Sequence, residues 1–241
     1  GVSLGPERQY PPLREFTSNT LNISSSDGVD YGYGEYIVSE SSYHGGNASR
    51  PPGPGWKSFT TASDDKSWIS SGVRYNTSTG IFGLQYSWQS LTPSGISDNN
   101  YEGEWIRIKM PVQITLTKYT LTRGSGYARG APGNYKIYGS NDDVNWYVVV
   151  DRSGSNALTN NYSNPSYDNN SYTDILSTVP GSYSAYTFVI QGQVGSQYSN
   201  GYTSYYDAVH IDEIYLYGQE GTAPNYTTLH TQNGTDGTSI S

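Results

Sequence analysis

Trp105-Ile-Arg-Ile-Lys-Met110 decides the fold class. Ile106, Ile108 and Met110 fall on one side of an extended chain, and Trp105, Arg107 and Lys109 fall on the other. Period-two alternation of this kind marks a half-buried strand. The pattern runs past Pro111 into Gln113-Ile-Thr-Leu-Thr-Lys-Tyr-Thr-Leu-Thr122, where Ile114 and Leu116 keep one phase while Tyr119 and Leu121 take the other. A phase flip within a strand needs an extra residue, so a bulge or bend is expected near Thr117 or Lys118. Working outward, NYKIY (134–138), WYVVV (146–150), YTFVI (186–190) and IYLY (214–217) are short and bounded by Gly, Asn, Asp or Ser. Short strands with such punctuation predict an antiparallel sandwich or barrel. Residues 138–146 read as a hairpin connection, because Gly, Asn and Asp tolerate left-handed backbone.

Composition narrows what these strands belong to. Ile, Leu, Val and Phe make up about 17 % of the 241 residues, a level shared with disordered chains. Twenty-five Tyr, five Trp and a charged fraction of 14 % point the other way, to a folded chain with an aromatic and β-branched core. The absence of Cys excludes disulfides, thiolate metal sites and a cysteine nucleophile. With 21 acidic against 13 basic residues and no Lys/Arg run, a nucleic-acid backbone is repelled. No apolar stretch approaches the roughly 18 residues that span a bilayer. The first residues, GVSLGPERQYPP, have neither the basic start nor the apolar run of a signal peptide.

Residues 151–178 are rich in Asn, Ser, Tyr and Gly and predict a long loop. Residues 47–55 (NASRPPGPG) form a loop that cannot be helical. Beyond Gly218 periodicity stops. The expected organisation is an N-terminal extension over 1–15, a β-sandwich domain over 16–219 and a tail or linker over 220–241.

GEWIRIKMPVQITLTKYTLTR (103–123), a loop with Pro132, NYKIYGSNDDVNWYVVV (134–150) and DEIYLYG (212–218) follow one another in an order that resembles the discoidin-like domain, also called the coagulation factor type C domain. Gly139-Ser-Asn-Asp142 with Trp146 four residues on is the most specific element of the resemblance, which covers roughly 34–218. Phe16-Thr-Ser-Asn19 and Tyr31-Gly-Tyr-Gly-Glu-Tyr-Ile-Val-Ser39 are similar to the variant in surface proteins of large algal and amoebal DNA viruses. Thr60-Thr61 replaces the family's Asp-Gly after Phe59, and the terminal Cys pair of animal members is absent. The resemblance implies an all-β, galactose-binding-like jelly roll of about eight main strands. It also implies a non-catalytic recognition or adhesion module whose loops at one end bind sugars, lipid headgroups or protein.

Catalysis finds little support in the residues. A nucleophilic triad needs His, and His44, His210 and His230 are the three present; His210 reads as a structural His ahead of a strand, and no Gly-x-Ser-x-Gly elbow seats a serine. Glycoside hydrolysis needs two carboxylates roughly 5 to 10 Å apart. Asp212 and Glu213 are adjacent and point to opposite faces of a strand, so Asp207 would need Glu213 or Glu104 opposite it. The resemblance further implies a Ca²⁺ loop ahead of a Trp, completed by the glutamate of the last strand. Here that is residues 59–68, with Asp64 or Asp65 and Glu213 as carboxylates, against the alternative of an ordinary acidic turn.

Sugar binding needs an exposed aromatic face and a few planar polar groups. Tyr127 and Arg129 lie between glycines in the 124–132 loop, and Tyr43, His44, Trp56 and Trp88 lie in other inter-strand loops, where packing beneath the loop is the competing use. Trp68, Trp105 and Trp146 match framework positions. The Tyr-rich segments 160–167 and 202–206 have the composition of adaptable interfaces, so packing against neighbouring subunits is a partner class equal to glycans. Sequons stand at Asn22, Asn47, Asn76, Asn161, Asn169, Asn225 and Asn233, in segments expected to be loops or tail, and fit an exterior location. The leading expectation is a non-catalytic extracellular or virion-surface module binding glycans or neighbouring subunits through one loop end. Its rivals are a structural protein packed by Tyr-rich faces and a glycan-cleaving enzyme.

Overall fold

The computed structural model describes residues 4–48, 51–61, 67–83, 93, 95, 96, 98, 101–124, 128–158, 160, 161, 164, 165, 170–177, 181–197 and 203–221. Among them are fifteen strands and no α-helix: β1 (Arg8–Tyr10), β2 (Thr20–Ile23), β3 (Gly34–Glu40), β4 (Trp68–Ile69), β5 (Glu104–Thr122), β6 (Pro132–Ser140), β7 (Tyr147–Arg152), β8 (Asn160–Asn161), β9 (Asn164–Pro165), β10 (Ser171–Ile175), β11 (Tyr183–Gln193), β12 (Ser196–Gln197), β13 (Thr203–Ser204), β14 (His210–Ile211) and β15 (Glu213–Glu220). All the pairings are antiparallel.

The strand that holds residues 105–110, β5, is common to both layers of the molecule. The first half of β5 pairs with β3 and β11, where Ile108 lies opposite Val38 and Tyr186. Its second half pairs with β15 and β10, where Leu121 lies opposite Ile214 and Tyr172. One layer therefore runs β2-β3-β5-β11-β6-β7 and the other β1-β15-β5-β10, with β5 common to both. The change of layer falls at residues 110–113: β11 pairs Ala185 with Lys109 but Tyr183 with Ile114. Pro111 lies in this gap and has no N–H to give to a ladder. A second shift puts Tyr217 opposite Lys118 and Gly218 opposite Leu116, so Thr117 is the extra residue of a bulge. The bulge sits where the apolar phase flips in the sequence.

Between the layers lies the core. Ile106, Ile108, Ile114, Leu116, Tyr119, Leu121, Tyr186, Phe188, Ile214 and Leu216 are all fully buried. Tyr119 of one layer meets Phe188 of the other edge to face, ring centroids 5.8 Å apart. A tyrosine core must satisfy its hydroxyls. Tyr186 donates to the Ile114 carbonyl at 2.6 Å, and the Tyr119 hydroxyl lies 2.6 Å from that of Tyr135 and bonds Asp174 Oδ2 at 2.9 Å. Arg152 closes this network on the Asp174 carboxylate at 2.7 and 2.6 Å.

Asp174 belongs to β10, which corrects the expectation of one long loop over 151–178: the end of β7, β8, β9 and β10 all lie there. β10 escapes a search for apolar alternation because its buried residue is an aspartate, made tolerable by Arg152. At the chain's start, within the segment expected to precede the domain, β1 pairs with β15 and Tyr10 enters the core.

The Gly139-Ser-Asn-Asp142 element has a local cause. Asp142 Oδ1 accepts the N–H groups of Val144 at 2.9 Å and Asn145 at 2.7 Å, while Ser140 Oγ accepts that of Asp143 at 3.0 Å. These bonds fix the turn into β7. They hold the Asp142 carboxyl well below the usual range, the Asn145 N–H being the largest cause. Trp68 is fully buried, and Trp105 and Trp146 pack on a smaller cluster of Ile96, Tyr101, Tyr138 and Val189. Arg107 lies over both indoles, 5.3 and 4.2 Å from the ring centroids.

Candidate functional site at the loop end

Both ends of β5 reach the same segment of chain. Near Glu104, the Asp207 carbonyl accepts the N–H groups of Arg74 at 3.0 Å and Tyr75 at 3.2 Å, and Tyr75 Oη accepts that of Glu104 at 3.1 Å. Near Thr122, the Asp212 N–H donates to the Thr122 carbonyl at 2.8 Å. The inter-strand segments gather here and bind one another. The N–H of Ser71 donates to Ser42 Oγ at 3.0 Å, and Ser71 Oγ donates to the Tyr43 carbonyl at 3.3 Å. The Ser70 N–H reaches the Val209 carbonyl at 3.1 Å, and Ser70 Oγ accepts the Val209 N–H at 2.9 Å. On the far side Gly195 donates to the Arg129 carbonyl at 3.1 Å, and Arg129 Nη1 donates to Ser204 Oγ at 3.3 Å.

Arg129 and Tyr206 are brought together here, the guanidinium carbon 5.1 Å from the ring centroid. Tyr43 is exposed, its carbonyl bonded by Ser71. Asp207, which follows Tyr206, is half-buried beside Gly72, where a Cβ would fall 3.1 Å from Asp207 Oδ2. Guanidinium, phenol ring, carboxylate and hydroxyl are the groups that stack on a sugar ring and read its hydroxyls.

Two polar clusters beneath this surface support it. Glu104 is fully buried, accepts hydrogen bonds from Ser41 Oγ and, at 2.8 Å, from Ser42 Oγ, and lies 3.5 Å from Arg74 Nε. Burial pushes its pKa up against the opposing serine bonds. A side chain so enclosed cannot meet a substrate, which removes it as half of a hydrolytic pair. In the second cluster, Ser67 Oγ donates to Asp212 Oδ1 at 2.5 Å, and His210 Nε2 lies 2.8 Å from Ser67 Oγ and 3.1 Å from Asp212 Oδ1. Serine and aspartate meet the same ring nitrogen, whereas a proton relay needs one at each. Gly124 roofs this cluster: a Cβ there would fall 3.0 Å from His210 Nε2.

The other sequence candidates divide. His44 is tied into its turn, its N–H donating to the Ile69 carbonyl at 2.7 Å and its Nδ1 accepting the Gly46 N–H at 3.0 Å. Trp56 stands in a 3-10 turn (Gly55–Phe59) and packs against the core. Glu213 heads β15 opposite Thr122 in the field of Arg14, a buried guanidinium that donates to the carbonyls of Ile214 at 2.6 Å and Ser58 at 2.9 Å. Of the expected Ca²⁺ ligands the described residues thus supply Glu213 alone, already facing a fixed positive charge. Tyr127, Trp88, Asp64, Asp65, Asn169, Asn225, Asn233 and His230 lie outside the described residues. Asn47 and Asn76 are exposed outside strands, as expected, but Asn22 lies on an outward position of β2 and Asn161 in β8, a correction to their reading as loop residues. An asparagine at an outward strand position meets solvent as one in a loop does. The approach of Tyr206 and Ser204 to Arg129 was not legible; its one sequence signal was the Tyr-rich 202–206 segment.

No family model matches this chain, and no curated protein matches it. Among solved structures it is similar to a family 32 carbohydrate-binding module from Clostridium perfringens in complex with galactose, at 12 % identity over 76 % of this chain and 93 % of that one, TM-score 0.45. A second such module from that organism, in complex with GalNAc-β-1,3-galactose, gives 11 % identity over 75 % and 94 %, TM-score 0.46. A third, from a family 31 glycoside hydrolase of the same organism, gives 15 % over 74 % and 87 %, TM-score 0.48. The two-layer architecture itself rests on this chain's own strand pairings.

Proposed function

We propose that this chain is a non-catalytic glycan-binding module that works through the loop end. The observation that carries the reading is the convergence of Arg129, Tyr206 and Ser204, with Asp207 next in the chain and half-buried; exposed Tyr43, whose carbonyl is bonded by Ser71, extends the site in this reading. Tyr127, on the same loop as Arg129, joins the site in this reading. A Ca²⁺ held by Asp64 or Asp65 with Glu213 would support the fold alone, beside the positive charge of the buried Arg14. The reading extends to an extracellular or virion-surface setting of the viral discoidin-like kind, with an adhesive role and glycans on the exposed Asn22, Asn47 and Asn76. A second use, packing against neighbouring subunits, is favoured by exposed Val144 in the turn before β7 and exposed Tyr147 and Val148 on β7, which pairs only with β6 among the described residues.

The test is a glycan array on purified protein, followed by titration of the sugars that bind, beginning with galactose. Replacing Tyr127 and Arg129 together by Ala is expected to weaken binding about tenfold or more, since a stacked ring and a charged hydrogen bond are each worth about 1 kcal/mol or more. Stability should change by no more than about 0.5 kcal/mol. Undiminished binding in this variant would remove the loop end as the site. Wild-type protein that binds no glycan but self-associates in sedimentation velocity would give the subunit reading the lead.

A further inference from the structure

At the opposite end of the sandwich, where β5 changes layer, a groove of about 440 Å³ opens between the start of the chain and the turn before β3. Its floor is Tyr10, fully buried, with its hydroxyl donating to Glu220 Oε1 at 2.9 Å. Tyr31 stands edge to face on Tyr10 at 5.4 Å, its hydroxyl donating to the Gln9 carbonyl at 2.8 Å. Tyr33 is 44 % exposed, its hydroxyl donating to the Val29 carbonyl at 2.8 Å. Both hydroxyls are thus spent on backbone, which fixes the two rings in the groove wall. Arg8 lies over Tyr31, 4.5 Å from the ring centroid, and meets Asp30 Oδ1 at 3.3 Å through Nη1.

We propose that this groove is a second ligand site, taking a neutral sugar, at the end of the molecule opposite the loops. The volume falls in the range of small-molecule sites, roughly 300 to 1,000 Å³. Charge selects the class. Glu220 and Asp30 oppose an anion, and Arg8 opposes a cation. A sugar hydroxyl both accepts and donates, so it takes N–H from the guanidinium and gives O–H to the carboxylates. The apolar face of the same ring then has a tyrosine face to rest on. The site goes beyond the loop-end reading and shares no residue with it, so one chain would hold two sugars and bind a multivalent glycan surface more tightly than either site alone.

The experiment is an amide NMR titration of the full chain with methyl β-galactoside, N-acetylgalactosamine and lactose, repeated on Arg8→Ala and on Tyr33→Ala. Tetramethylammonium and acetate serve as charged controls. The expected result is a set of saturable shifts around Arg8, Asp30, Tyr33 and Glu220, distinct from those around Arg129, with the groove Kd rising at least tenfold in both variants while the loop-end shifts persist. A dispersed spectrum verifies folding, and Tyr33→Ala, at an exposed side chain, carries the test if Arg8→Ala loosens β1. Sugar shifts confined to the loop end would overturn this site and leave the proposed function standing. No sugar shifts at either end would overturn both. Groove shifts that survive both variants, or that the charged controls produce and the sugars do not, would overturn the assignment of residues or of ligand class.

Discussion

The two ends of the sandwich use the same ingredients and assemble them differently. At the loop end Tyr43, Arg129 and Tyr206 come from separate inter-strand segments, held by hydrogen bonds from one segment to another. At the bent end Arg8 sits on β1, and Tyr31 and Tyr33 on the turn before β3, with ring hydroxyls anchored to main-chain carbonyls, that of Tyr31 on Gln9 of β1 and that of Tyr33 on Val29. The difference lies in what fixes the rings. At the bent end the backbone itself does so, and a change in that backbone should cost recognition and stability together. At the loop end mutual contacts among loops do so, and the two should come apart.

Glycine substitutions sharpen this contrast. Gly34 has φ +120°, and a Cβ there would fall 2.5 Å from Pro111 Cβ, in the segment where β5 turns. Gly34→Ala is expected to lose about 3 kcal/mol, from backbone strain plus overpacking. Urea unfolding measures it, and a variant as stable as its parent would break the claim that backbone geometry sets the bent end. Gly72→Ala is expected to cost less than about 1 kcal/mol, because the new Cβ presses only on the Asp207 carboxylate at 3.1 Å. Displacing that carboxylate should weaken loop-end sugar binding by up to about tenfold. Equal losses of stability from the two substitutions would erase the contrast. The smallest effect should come from chelation. Treatment with chelator and re-addition of Ca²⁺ should move the melting temperature by less than about 1 °C, since Arg14 already faces Glu213. A fall of several degrees, reversed by Ca²⁺, would show that a metal balances Glu213 instead.

What could be read from the sequence depended on how far apart the interacting residues stand. The strand β5 was legible because Ile106, Ile108, Ile114 and Leu116 repeat at short range, and even its bulge showed as a change of phase. The turn into β7 was legible because Asp142 bonds residues two and three positions on. β10 was not, since its buried position holds Asp174 and depends on Arg152, 22 residues away. Of the candidate site, Arg129 and Tyr43 stood out by their glycine-rich or polar surroundings, but Ser204 approaches Arg129 from 75 residues away. His44 and Trp56 had the right residue types, yet local bonding in one case and core packing in the other claimed them.

The pairing of β1 with β15 sets a schedule for synthesis. Gln9 lies opposite Tyr217, so one edge of the second layer cannot close until nearly the whole domain has been made. At roughly 5 to 20 residues per second the first strand waits on the order of ten seconds or more, with Tyr10 still in water. During that interval the layer of β2, β3 and the first half of β5 can already pair, so the emerging chain carries a half-built sandwich whose last strand to arrive captures its first.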